Sequence, residues 1–268
     1  GAHVFATMRN LPRREADGLR ALARRENLAS DVIEIDVLSD DQVESGVAEA
    51  LALADGKIDI LINNAGIGIT GPVEAQDMEA TKLAFDTNVF GGQRMVRAVL
   101  PAMRAAGGGQ IFAISSQLGR LIVPSAGHYS ATKFALEAIN EQLAYELVPH
   151  NIEVTIIQPG GYPTKVWVNR NRYTTALKER LPAELKAGYP QLIGAMGQED
   201  GSGRNADPMD IPRAIAEIVM MPAGTRPLRK AVHPNFRPQE AVNDACAKAQ
   251  LGFLGNSGYG PWVKAVLD

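Results

Sequence analysis

The chain has 268 residues, of which 46% are hydrophobic, 21% charged and 6% aromatic, and 27 basic against 30 acidic side chains give a formal net charge of −3. These values suit a folded globular chain and argue against a disordered segment, a collagen-like repeat or a coiled coil. Weak acidity gives no electrostatic reason to expect nucleic acid as a partner, and the single Cys246 excludes an internal disulfide and any multi-cysteine metal site. With no apolar run near the roughly 18 residues of a membrane span and no signal-peptide pattern, a cytoplasmic protein is expected.

Short β-type runs alternate with longer helical ones. Val4–Thr7 is apolar and β-branched, as a buried parallel strand should be, and residues 12 to 27 read as an exposed helix rich in Arg, Glu, Ala and Leu. Val32–Asp36 is a second strand. Ser39 with Gln42 three residues on gives a capping-box pattern, and Val43, Val47, Ala50, Leu51 and Ala54 follow at helical spacing. Ile58–Ile62 is a third strand, residues 77 to 105 one long helical stretch, and Gln110–Ile114 a fourth strand after three glycines. A helix over 127 to 147, a strand at Ile152–Gln158, a helix over 208 to 221 with Asp207 as cap and Pro208 in its first turn, and a strand over 228 to 232 complete the alternation. Residues 160 to 207 are less periodic and read as an inserted lid, and 235 to 268 as a carboxyl-terminal extension of one domain spanning 1–268. Such alternation predicts an α/β fold, with a doubly wound Rossmann-type parallel sheet. Ligands of such sheets bind beyond the carboxyl ends of the strands.

Polar and glycine-rich segments stand at those ends: Asn63-Asn64-Ala65-Gly66 after the third strand, Ser115-Ser116 after the fourth, Pro159-Gly160 and Thr164 after the fifth. Tyr129 and Lys133 are four apart on a predicted helix and share a face. A free tyrosine has a pKa of about 10, and an ammonium beside it favours the phenolate, so the pair suits general acid–base work. An isolated Tyr-x-x-x-Lys is more often a half-buried tyrosine and a solvated lysine.

The wider set resembles the short-chain dehydrogenase/reductase family, its hydroxysteroid/retinol dehydrogenase-like branch above all, from residue 1 to about 235. The matching segments are Thr-Met-Arg at 7 to 9, Asp36-Val37, Asn-Asn-Ala-Gly at 63 to 66, Asn88, Ile-Ser-Ser at 114 to 116, Tyr-x-x-x-Lys at 129 to 133 and Pro-Gly-x-x-x-Thr at 159 to 164. Each is weak alone; their order and spacing together are specific. The resemblance implies an oxidoreductase interconverting a carbonyl and a secondary alcohol. Tyr129 would be the general acid/base, Lys133 would lower its pKa and bind the nicotinamide ribose, Ser116 would bond the substrate carbonyl, and Asn88 would hold a water in a proton relay. Asp36 and Val37 would meet the adenine, Asn64, Ala65 and Gly66 would line the ribose, and Thr164, after Pro159 and Gly160, would bond the nicotinamide amide. Arg9 stands where the family often places an arginine against a 2′-phosphate, which favours NADP(H) over NAD(H). The resemblance also implies a homo-oligomer and hints at a bulky apolar substrate. Tyr162 and Trp167 would line that pocket or serve only in packing.

One departure stands out. The family's opening strand and Thr-Gly-x-x-x-Gly-x-Gly loop, which presents backbone N–H groups to the pyrophosphate, are absent. Gly66-Ile67-Gly68-Ile69-Thr70-Gly71 fits G-x-G-x-x-G, but Pro72 follows and no helix starts there, so it reads as loop. With Gly1 in place of Met, the expectation is a sequence lacking its natural amino terminus, and NADPH binding by residues 1 to 268 alone is expected to be weak or absent. The alternatives are a shortened protein with a rebuilt sheet, and a cofactor-sensing or inactive member of the fold.

Overall fold

All strand pairing is parallel. The computed structural model describes residues 1–268 and arranges six strands in two sheets. β1 (Val4–Met8) pairs with β2 (Ser30–Glu34), and β3 (Ile60–Asn63), β4 (Gly109–Ile114), β5 (Ile152–Pro159) and β6 (Arg229–Val232) form the second sheet in that order. β1 and β3 are not paired with one another, so each has a strand on one side only. β5 shows why the second sheet lies at the centre: Ile152, Val154, Ile156 and Ile157 are all buried, so both faces of the strand are covered.

Helices α1 (Arg14–Glu26), α2 (Asp40–Leu53), α3 (Met78–Phe85), α4 (Gly91–Ala106) and α5 (Gly127–Leu147) supply the crossovers. α2 buries Val43, Gly46, Val47 and Ala50, the stripe its spacing predicts. Ser39 caps it by accepting from Gln42 N–H at 3.2 Å, while the Gln42 side chain reaches past the cap to accept from Asp36 N–H at 2.9 Å. One apolar cluster of 20 buried residues joins both sheets, with Ile33, Ile35, Val43 and Val47 from one side and Val96, Ile111 and Ile156 from the other. Arg94 of α4 fastens the two polar rims, bonding Asp40 and Asp86 at 2.7 Å and the Val37 carbonyl at 3.0 Å.

The helical stretch expected over 77 to 105 is present as α3 and α4, continuous through a π-helical turn, Asp86–Phe90. Two expectations change. Residues 160 to 207 hold three helices, α6 (Val166–Glu179), α7 (Ala183–Gly188) and α8 (Pro190–Ala195), whose Leu177, Leu181, Ile193 and Met196 pack on Ile69 and Ala75. α9 (Asp210–Val219) starts after Pro208, because Asp207 spends its carboxylate on Met209 N–H at 3.0 Å in a local turn before the helix. Two further helices, α10 (Gln239–Leu254) and α11 (Gly260–Leu267), form the tail. No helix is long and apolar enough to cross a membrane.

Candidate active site

β4 ends at Ile114, and the chain turns through Ser115 and Ser116 before α5 begins. The Ser116 hydroxyl accepts from Leu118 N–H at 3.1 Å, which holds it at the strand end. α5 then presents Tyr129 and Lys133 one turn apart. Lys133 is buried, with its ammonium 5.8 Å from the Tyr129 ring centre, and it donates to the Ile114 carbonyl at 2.8 Å. Burial pushes the amine down to about 8, against the pull of the Glu137 carboxylate.

Asn88 sits in the π-helical turn and is buried. Its Oδ1 accepts from Ile67 N–H at 2.7 Å, and its Nδ2 donates to the Ile67 carbonyl and to Thr132 Oγ1, both at 2.9 Å. Thr132 in turn donates to the Tyr129 carbonyl at 2.7 Å. Asn88 thus ties the 63–67 loop to the helix that carries Tyr129. The side chain has one free lone pair and no free N–H, which limits the water-holding expected of it. Gly66 closes the group: a β-carbon there would stand 3.3 Å from Asn88 Oδ1 and 3.8 Å from Lys133 Nζ.

The Lys133 ammonium lies beside the Tyr129 ring. Burial raises the pKa of the Tyr129 phenol, and what opposes burial is the Ser116 hydroxyl and the charge of Arg170 on α6. The Lys133 ammonium donates to the Ile114 carbonyl. The phenol therefore stays protonated through neutral pH.

The remaining residues fall in two other groups. Arg9 donates to the Tyr173 hydroxyl at 3.2 Å and stands 3.9 Å from Asp36, and Arg172 also donates to that hydroxyl, at 3.3 Å. Burial pushes the Tyr173 phenol up, but the bonds from Arg9 and Arg172 outweigh it and hold the phenol below its usual range. Asp36 folds back to accept from Leu38 N–H at 3.1 Å, and Val37 packs against Gly91, where a β-carbon would come within 2.8 Å. Pro159 ends β5, and the Gly160 N–H donates to the Val232 carbonyl at 2.9 Å. Thr164 is exposed and accepts from Val166 N–H at 3.4 Å. Asn64, Ala65 and Gly66 are exposed at the end of β3.

Tyr162 takes the packing alternative, buried beside Phe112 and Ile157. Trp167 lies between the guanidiniums of Arg170 and Arg204, 4.5 and 3.9 Å from its ring centre, and donates to the Tyr162 carbonyl at 2.6 Å. The 66–71 glycines form a loop, with the Thr70 N–H bonded to Thr174 of α6 at 3.1 Å. Sequence reasoning missed Thr132, Arg170 and Arg172. Thr132 lies inside the Tyr-x-x-x-Lys segment and offered a signal; the arginines of α6 offered none.

The short chain dehydrogenase family model matches residues 1–174. Retinol dehydrogenase 8 of Homo sapiens is 40% identical over 259 residues, covering 92% of this chain and 78% of that relative. A short-chain dehydrogenase structure from Streptomyces avermitilis superposes with a TM-score of 0.68 at 27% identity, covering 97% of this chain and 89% of the other. Among structures of the same fold, a metagenomic short-chain oxidoreductase (24% identity, TM-score 0.65, 88% of this chain and 87% of the other) is in complex with NADP. One from Burkholderia phymatum (23%, TM-score 0.68, 90% and 81%) is in complex with NAD. The chain belongs to the short-chain dehydrogenase/reductase family, within its retinol dehydrogenase-like branch. It is an oxidoreductase that acts on CH–OH groups.

Proposed function

We propose that the protein is an NADP(H)-dependent oxidoreductase interconverting a carbonyl and a secondary or allylic alcohol, with Tyr129 as general acid/base. The observation that carries the reading is the Lys133 ammonium. It is buried beside Tyr129 and the Gly66 cradle, and it uses only one of its three N–H donors, on Ile114. Two donors remain for a ribose diol, and a side chain at Gly66 would obstruct that approach, so the residues fit a nicotinamide cofactor. When bound, that cofactor supplies or takes the hydride.

The chain's own groups do the rest. The Tyr129 phenol, kept protonated by burial, gives its proton to the carbonyl oxygen as an alkoxide develops there. Ser116 donates to the same oxygen and stabilises the charge. Ile122, Val123, Val166 and Val168 expose apolar surface on the segment before α5 and on α6, which supports a bulky apolar substrate. Phe90, Phe134 and Ile139 expose apolar surface on the π-helical turn and α5 and support a homo-oligomer. We further infer one domain in which α6 to α8 form a lid and in which a strand and a glycine-rich loop complete the sheet between β1 and β3. A cytoplasmic location remains part of this reading.

The test is NADPH-dependent reduction of retinal and of small ketones by the chain extended with that strand and loop. Tyr129→Phe is expected to lower kcat by about 10²- to 10⁴-fold. Wild-type activity in that variant overturns the assignment. Preference for NADPH is assigned to Arg9 with Arg172, whose guanidiniums converge on one hydroxyl and match phosphate geometry. Arg9→Gln is expected to raise the KM for NADPH by about tenfold with little change for NADH; an equal effect on both cofactors refutes the phosphate role.

A further inference from the structure

One turn beyond Lys133 on α5, Glu137 is 1% exposed and is held by groups from three other elements. Its Oε1 accepts from Gln158 Nε2 of β5 at 2.9 Å, and its Oε2 accepts from Arg229 Nε of β6 at 2.8 Å. Arg120, in the segment after β4, stands 3.4 Å away. Glu141, on the next turn, also pairs with Arg229, lies 3.7 Å from Arg120 and accepts from the Tyr145 hydroxyl. Gln158 is itself pinned from α10, where Asn243 Nδ2 donates to its Oε1 at 2.7 Å and Gln239 Nε2 to its carbonyl at 3.2 Å. Gly119 makes the room: a β-carbon there would come within 2.6 Å of Ser115 Oγ and 3.0 Å of Glu137 Cγ.

A buried carboxylate held in a part-buried cluster with Glu141, Arg120 and Arg229 costs desolvation, and apolar side chains of the same volume stabilise a fold at least as well. The placement has a use. Residues at i and i+4 of a helix are neighbours, so the Glu137 carboxylate acts on the Lys133 amine. The other groups facing that amine are Tyr129 on the same helix, the neutral Ile114 carbonyl of β4 and Asn88 of the π-helical turn beyond Gly66, with Arg170 of α6 acting on Tyr129. None of these carries a negative charge at neutral pH.

We propose that Glu137 is a positioning residue for Lys133, the fixed negative charge that keeps this buried amine an ammonium, with Arg120 tempering that charge. The inference rests on the reading of Lys133 as the group that meets the cofactor ribose.

The test is direct titration of Lys133 in the full chain by NMR of isotope-labelled lysine side chains, its signal assigned by its loss in Lys133→Met. Relative to wild type, Glu137→Gln is expected to lower the titration midpoint by about one pH unit, and Arg120→Met to raise it by about half a unit. Arg120 meets the carboxylates only at 3.4 and 3.7 Å, so its removal disturbs packing least and decides the matter if Glu137→Gln does not fold. An upward shift in Arg120→Met supports the proposal; an unchanged or lowered midpoint overturns it, as does an unchanged midpoint in folded Glu137→Gln. In retinal reduction by the extended chain, the alkaline limb of kcat should move with the midpoint while the KM for retinal stays constant. Full activity in Lys133→Met instead defeats the catalytic reading, a result separate from any shift in the midpoint.

Discussion

At the scale of single residues, burial sets the direction of the shift at Lys133 and Tyr129. Lys133 titrates near 8 in the fold against 10.5 in the unfolded chain, so between those values the unfolded chain holds the extra proton. Stability should therefore rise with pH across that window, as the cost of burying the ammonium is relieved. The difference between wild type and Lys133→Met should change by on the order of 3 kcal/mol from pH 7.5 to 10.5, measured by urea unfolding. A flat difference would show that the amine is solvated. The residues most legible in the sequence were those with motif spacing: Ser116, Tyr129 and Lys133 stand together as their order suggested. The sign of the Tyr129 shift was not legible. It depends on how the fold buries the phenol against the opposing Ser116 hydroxyl and Arg170 charge, which lie on two other segments.

At the scale of elements, the π-helical turn is the joint of the site. The sequence over 77 to 105 reads as one helical stretch, and within its π-helical turn Asn88 bonds the Ile67 N–H and carbonyl. That partner lies in a loop more than twenty residues earlier, which no local pattern reveals. Asn88→Ala leaves the Ile67 N–H and carbonyl without their partners in a part-buried position. The variant should lose about 3 kcal/mol of stability, and the Ile67 amide should exchange faster than its neighbours. Unchanged exchange at Ile67 would show that the bond does not hold the loop. Helices α6 to α8 were hidden for a related reason. Tyr189 and Pro190 break the periodicity between α7 and α8, and their packing becomes visible only against Ile69 and Ala75.

At the scale of the molecule, alternation of strands and helices was enough to predict parallel pairing in a sheet covered on both faces. The order of β3 through β6 follows the chain, as short right-handed crossovers favour. The division of the sheet is the feature with the widest reach. Val4-Phe5-Ala6-Thr7-Met8 and Ile60-Leu61-Ile62-Asn63 carry no lysine, proline or other blocking residue, and Val4 and Ile62 are about half exposed. A bare strand flank is a template on which another chain can crystallise its own backbone, the first step of edge-to-edge aggregation. Residues 1 to 268 in isolation are therefore expected to self-associate with rising concentration by light scattering. Ile62→Lys should suppress this, and so should the strand inferred between β1 and β3; equal scattering from all three forms would mean the flanks are already shielded. The two unpaired flanks thus tie the solubility of the protein to its concentration.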